Sequence, residues 1–210
     1  MGNEEFLIGV VQVGDFGWQF LDDIMIGVRE VFKETFRLDG KGRKVVCRPI
    51  IPRPLTIPPT AYKEEVGKYN IEPFFTSGIK EKYKADLKLK QSGRKISKTL
   101  VITNVPLFSF VNNCGVFGEA ENTGEVAVIS IFHLEKDATE QSIRDRTIKE
   151  CVHELGHTLG LHHCMHDKCV MKQSIDIYDV DAKTRFFCDD CNRRLMSIQF
   201  SKDYRSWKGP

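Results

Sequence analysis

CVHELGHTLGLHHCMHDKCVM, residues 151–171, sets five histidines, three cysteines and one glutamate within twenty-one positions. Read as a helix up to Gly160, it puts His153 and His157 on one face, because four residues turn about 400° and rise about 6 Å. Two neutral imidazoles so placed can grip one ion, and bonds of about 2.0 Å suit zinc. Glu154 lies about 100° round from His153, beside an ion's open position, where a carboxylate can take a proton from water. A third ligand needs a bend, since six residues past His157 an unbroken helix points a side chain about 240° away and about 9 Å further on. Gly160 supplies it, because glycine accepts positive φ at a helix C-cap. Either His162 or His163 can then reach the ion. Three imidazoles leave one position open, the arrangement of a catalytic zinc. One helical histidine alone would be an ordinary side chain; two with Glu154 between them and Gly160 beyond need another explanation.

Cysteines follow at once. Cys164, Cys169, Cys188 and Cys191 form C-x4-C and C-x2-C, four thiolates for a closed tetrahedral zinc. About 50 residues remain after Gly160, too few for a separate core without a staple. Cys164 follows His163 directly, so a structural ion would fix the chain that presents a catalytic ligand. Disulfides are the competing reading, disfavoured in a reducing compartment. Cys47, Cys114 and Cys151 read as small buried apolar residues.

Upstream, residues 6–14 read as a strand, and Leu21, Ile24, Val28 and Val31 give helical spacing over 18–36, closed by LDGKG. KVVCRPIIP (44–52) reads as a second strand, with a helix over 60–88 interrupted by Pro73 and Gly78. Further strands are expected at 98–108, 115–120 and 125–134, the second of these brief, glycine-containing and suited to a sheet edge. Asp137 with Glu140 suggests the cap of the motif helix, whose apolar face is Ile148, Val152, Leu155 and Leu159. A last helix is expected over 189–204.

The pattern H-E-x-x-H-x-x-G-x-x-H, met by His153, Glu154, His157, Gly160 and His163, resembles that of the metzincin metallopeptidases. Its continuation through Cys164, Cys169, Met171, Cys188 and Cys191 is similar to the archaemetzincin (archaelysin) family, with a spacer after Met171 one residue shorter than that family's. The resemblance implies His163 rather than His162 as third ligand and Met171 as the Met-turn floor beneath the imidazoles. By itself, a methionine there would be an adaptable core filler. Gln173 stands where some metzincins carry a metal-contacting tyrosine, so that role does not carry over. An edge strand would rim the cleft, making Phe117, Gly118, Glu119 and Ala120 candidates for substrate binding. The implied fold is α+β and metzincin-like: a twisted mixed five-stranded sheet packed on helices including the active-site helix, then a small zinc-stapled subdomain. The expected division is 1–160 and 161–210 within one catalytic domain.

Composition adds bounds. With 210 residues, 41% hydrophobic and 29% charged, the chain suits an ordinary globular domain. A net charge of +2 gives no global field for nucleic acid or an anionic membrane, although local patches stay open. One such patch is residues 80–98, with eight basic residues against two acids, most simply a solvated helix face. MGNEEFLIGVVQVG lacks a basic n-region, and Phe6 stands where myristoylation wants Ser or Thr. The expectation is a cytoplasmic monomer with no membrane or nucleic-acid partner, carrying one catalytic and one structural zinc. It would be a zinc metallopeptidase that hydrolyses peptide or protein substrates with water activated by Glu154. The alternatives are a non-enzymatic two-zinc binding module, which would not require Glu154, and a zinc amidohydrolase acting on non-peptide substrates with the same ion and base.

Overall fold

Strand β1 (Glu5–Val13) is apolar on both sides. Phe6, Ile8 and Val10 enter one core, while Leu7, Val11 and Val13 enter clusters on the other side, as a strand inside a covered parallel sheet requires. The computed structural model describes residues 5–37 and 43–206, with side chains described to residue 198. Helix α1 (Trp18–Arg37) buries Leu21, Ile24, Val28 and Val31, the predicted stripe. The predicted closing stretch LDGKG lies outside the described residues.

Strand β2 (Lys44–Pro49) pairs in parallel with β1. The helix predicted over 60–88 is instead a short hairpin, β3 (Tyr62–Lys63) with β4 (Lys68–Asn70), followed by α2 (Glu72–Leu89). Pro73 interrupts nothing: it sits in the first turn of α2, where its missing N–H has no intrahelical partner to lose. Gly78 also stays helical, and a Cβ there would lie 2.7 Å from both Val101 Cγ2 and Val126 Cγ1, so glycine lets α2 approach the sheet.

Two predicted strands each prove to be two. Residues 98–108 become β5 (Lys98–Thr103) and β6 (Leu107–Ser109), with Pro106 between them. Residues 115–120 divide between β7 (Cys114–Val116), which starts one residue earlier, and β8 (Gly118–Ala120). In both cases the chain changes sheet partway. With β9 (Val126–Ser130), the large sheet has the order β2-β1-β5-β9-β8, parallel except for β8, which runs antiparallel to β9 at the edge. A smaller sheet, β3-β4-β6-β7, was not foreseen.

Helix α3 (Glu140–Thr158) is capped two residues after its predicted cap. Thr139 is the N-cap, accepting from Ser142 N at 3.2 Å, whereas Asp137 takes φ 50° in the preceding loop. A short α4 (Ile177–Ala182), capped by a reciprocal Asp176–Asp179 box, precedes α5 (Asp189–Ser206). α1 and α3 cover one face of the large sheet and α2 the other. Residues after Gly160 share the main core: Val170, Met171, Phe187 and Leu195 are buried in it, with Phe187 5.8 Å from Phe32 between ring centroids.

Candidate metal centre

The end of α3 is set by its backbone. Gly160 takes φ 99°, its N–H donates to His157 O at 2.9 Å, and Leu161 N–H donates back to Gly156 O at 3.0 Å. This 6→1 and 5→2 pair is a Schellman ending. Lys98, buried beneath, donates to Thr158 O at 2.6 Å, placing a cation at the negative end of the helix.

Both helical imidazoles are aimed by backbone carbonyls. His153 Nδ1 lies 2.8 Å from Val170 O and His157 Nδ1 2.8 Å from Leu161 O. Each carbonyl can only accept, so each Nδ1 carries its proton and each Nε2 presents a lone pair. The two Nε2 atoms face each other at 3.1 Å. Lone pairs so placed repel unless a cation lies between, and two ligands on a tetrahedral zinc at about 2.0 Å stand about 3.3 Å apart. His163 closes the trio, its ring centroid 5.4 Å from His153 and 5.0 Å from His157, and the three ligand atoms lie within 4.8 Å of one another. Although its ring is exposed, it faces the pair; His162 is exposed and outside the trio. Desolvation, full at His153 and only partial at His163, holds all three ring pKa values below the ordinary histidine value, favouring the neutral form that binds metal. The donor set therefore fits zinc.

Glu154 is buried beside them, its carboxyl pushed well above the usual range by burial and then by Glu150, against the pull of Lys183. Strand β8 passes over it: a Cβ on Gly118 would lie 2.9 Å from Glu154 Cγ. Met171, fully buried, packs against Gly156, where a Cβ would collide with its sulfur. A glycine in the last turn of a helix, ahead of its cap, is itself a sign of such close approach.

The four thiols form a second centre. Cys164 and Cys188 sulfurs are 3.7 Å apart, as are those of Cys169 and Cys191, and all four lie within 4.8 Å of one another. A disulfide needs about 2.05 Å, whereas a tetrahedron of 2.3 Å Zn–S bonds has edges of about 3.8 Å. Hydrogen bonding from Cys191, aided by the Cys188 and Met171 N–H groups, pushes the Cys169 thiol down to about 5. Cys164 N–H donates to Met171 O at 2.9 Å, so cluster, Met171 and His163 share one short stretch of chain. Of the other cysteines, Cys151 is buried and Cys47 partly so, but Cys114 is exposed rather than buried as predicted.

One feature is only half visible in the sequence pattern. Lys183, wholly buried, lies 2.9 Å from Glu150 Oε1, an ion-pair distance though out of line for a hydrogen bond, and 3.5 Å from His153 Nδ1. Further along α3, Arg146 holds Asp181 through two bonds of 2.7 Å, and Asp145 pairs with Arg185. Glu150 shares a helix face with His153 and Glu154, a visible hint; nothing marked its partner thirty-three residues later.

Neutral imidazoles converging beside a buried carboxylate, under a free strand edge, form an arrangement of the zinc metallopeptidase class. Comparison with known proteins narrows this. A sequence model described as Peptidase family M54 matches residues 19–197, and the chain belongs to that family. It is similar to the archaemetzincin of Methanocaldococcus jannaschii, 31% identical over 193 residues that span 90% of this chain and 92% of the relative. Identity to the archaemetzincin of Archaeoglobus fulgidus is 43% over 100 residues, 48% of this chain and 61% of that protein's length. The crystal structure of Methanopyrus kandleri archaemetzincin covers 95% of the chain and is itself covered to 97%, with TM-score 0.68 and 26% identity.

Proposed function

We propose that the chain hydrolyses peptide bonds, with a catalytic zinc on His153, His157 and His163 and a structural zinc on Cys164, Cys169, Cys188 and Cys191. The observation that carries this reading is the pair of Nδ1–carbonyl bonds, which leaves two Nε2 lone pairs 3.1 Å apart beside the buried Glu154. Zinc bound there would supply Lewis acidity and a water acidic near neutral pH. Glu154 takes the proton of the attacking water on a carboxylate oxygen and returns it to the leaving amine. Met171 acts as the apolar floor of the imidazoles.

The substrate lies along β8. Ser130 N–H donates to Phe117 O at 2.8 Å, so in the register Gly118↔Ile129 residues 117 and 119 bond to β9. Gly118 and Ala120 then turn their N–H and C=O groups to the free edge, where an extended peptide can add as a strand. Phe117 serves differently, packing on Leu134, Ile177 and Val180, while Glu119 accepts from Asn112 at 3.2 Å. We read the arrangement as metzincin-like, divided at Gly160 into 1–160 and 161–210, and four reduced thiols fit a cytoplasmic setting.

The test is zinc analysis with digestion of a mixed peptide library. Glu154→Ala should keep two zinc ions per chain and lose cleavage by orders of magnitude; equal turnover removes Glu154 from the mechanism. A zinc-loaded parent that cleaves nothing favours the binding module.

A further inference from the structure

Apart from Lys98, which holds the end of α3, the basic tract of residues 80–98 takes no part in the metal centre, and the fold sorts its eight cations. Three serve internal bonds: Lys82 with Asp86 at 2.8 Å, Arg94 with Glu5 at 2.6 Å, and Lys98 at the end of α3. Lys84 pairs on the surface with Glu81 at 2.7 Å. Lys80, Lys88, Lys90 and Lys95 are exposed and have no carboxylate partner among the described residues.

On the same helix, Ile79, Tyr83 and Leu87 are 57%, 66% and 53% exposed. Their i, i+4, i+8 spacing draws one apolar line about 12 Å long on the outer face of α2. Lys80, Lys84 and Lys88 run beside it, each about 100° round from its apolar neighbour. The inner face, with Phe74, Gly78 and Ala85, already packs on the sheet, so the outer line has no role in the core. A single exposed apolar residue needs no explanation; three in register beside a cation row do.

We propose that the outer face of α2 docks on an anionic lipid surface. The apolar line stands on a convex helix ridge, where Tyr83 and the aliphatic lysine stems can enter the headgroup boundary while the ammonium groups meet lipid phosphates. Flexible, directionless donors suit a soft negative surface; a folded partner would call for shaped polar complements, and this face offers chiefly ammonium groups around the Tyr83 hydroxyl. No described helix is long and apolar enough to cross a membrane, so the contact is one of lying on it. Because α2 covers the sheet face opposite α1 and α3, docking leaves the metal centre free, and the inference stands apart from the peptidase reading.

The test is co-sedimentation of the zinc-loaded full chain with vesicles of phosphatidylcholine alone or with about a third phosphatidylglycerol. Binding is expected to the anionic vesicles only and to weaken with salt. It should fall at least about tenfold in Tyr83→Ser/Leu87→Ser and in Lys80→Ser/Lys88→Ser, with thermal midpoint and zinc content unchanged since all four side chains are exposed. Absence of binding at low salt, equal binding to neutral vesicles, or binding indifferent to both variants overturns the proposal. So does concentration-dependent self-association abolished by Tyr83→Ser/Leu87→Ser without vesicle binding, which would assign the stripe to a second copy.

Discussion

Replacing Lys183 by Met tests how the C-terminal segment is fastened to α3. Lys183 is wholly buried and Glu150 nearly so, with 2.9 Å between their charges. Methionine fills much of the lysine volume, so the change mainly strands a buried carboxylate. Breaking a buried pair from one side costs about 3–5 kcal/mol, and at about 2–4 °C per kcal/mol for a chain of this size the midpoint should drop by roughly 6–20 °C. Zinc should be retained, since His153 Nδ1 keeps its bond to Val170 O. The assay is urea unfolding at fixed free zinc for the parent, Lys183→Met, Glu150→Gln and the double variant. Removing both charges should recover most of the loss, because no unpaired charge remains. A single-variant loss under about 1 kcal/mol, or a double variant as unstable as Lys183→Met, would refute the reasoning that this pair is a buried, mutually compensating one.

Three further changes probe other parts of the fold. Gly118→Ala would put a methyl 2.8 Å from Val128 O and 2.9 Å from Glu154 Cγ; the strand carbonyl cannot yield, so Glu154 should move and kcat fall about 10–100-fold at a stability loss of about 1–3 kcal/mol. An unchanged kcat on a cleaved library peptide would rule this out. Cys191→Ser, at a buried thiol, should lower zinc by one ion per chain and weaken zinc retention at the histidine trio at least about tenfold in a chelator competition, because His163 precedes a cluster ligand; retention equal to the parent's would uncouple the sites. The Asp181 carboxyl is held below its usual range chiefly by its hydrogen bond from Arg146. A lowered carboxylate pKa stabilises the fold above the unfolded value near 4 and loses that contribution as pH falls through the folded value. Asp181→Asn should thus cost about 1 kcal/mol at pH 7, limited by the exposure of the carboxylate, and converge with the parent in strong acid; a pH-independent gap would contradict this.

What could be read in the sequence was what short spacing encodes. His153, Glu154, His157 and Gly160 share one helix and its end, so helix geometry brings two of the three imidazoles together, while the thiols are legible as two local pairs, C-x4-C and C-x2-C, whose meeting is tertiary. Where the chain changes partner, the pattern is silent: residues 98–108 and 114–120 keep extended character while crossing from one sheet to the other, and periodicity records extension rather than neighbours. α3 shows the deeper reason. Ile148, Val152, Leu155 and Leu159 face the main core as expected, yet Arg146, Lys149, Glu150, His153 and Glu154 are buried too. A helix buried on both sides, apolar on one and charged on the other, looks like a surface helix in sequence. Its charged side can be buried only because Asp181, Lys183 and the carbonyl of Val170 arrive from beyond Gly160 to meet it. The bend that delivers a third imidazole therefore also delivers the counter-charges that let the other two, and Glu154, leave water.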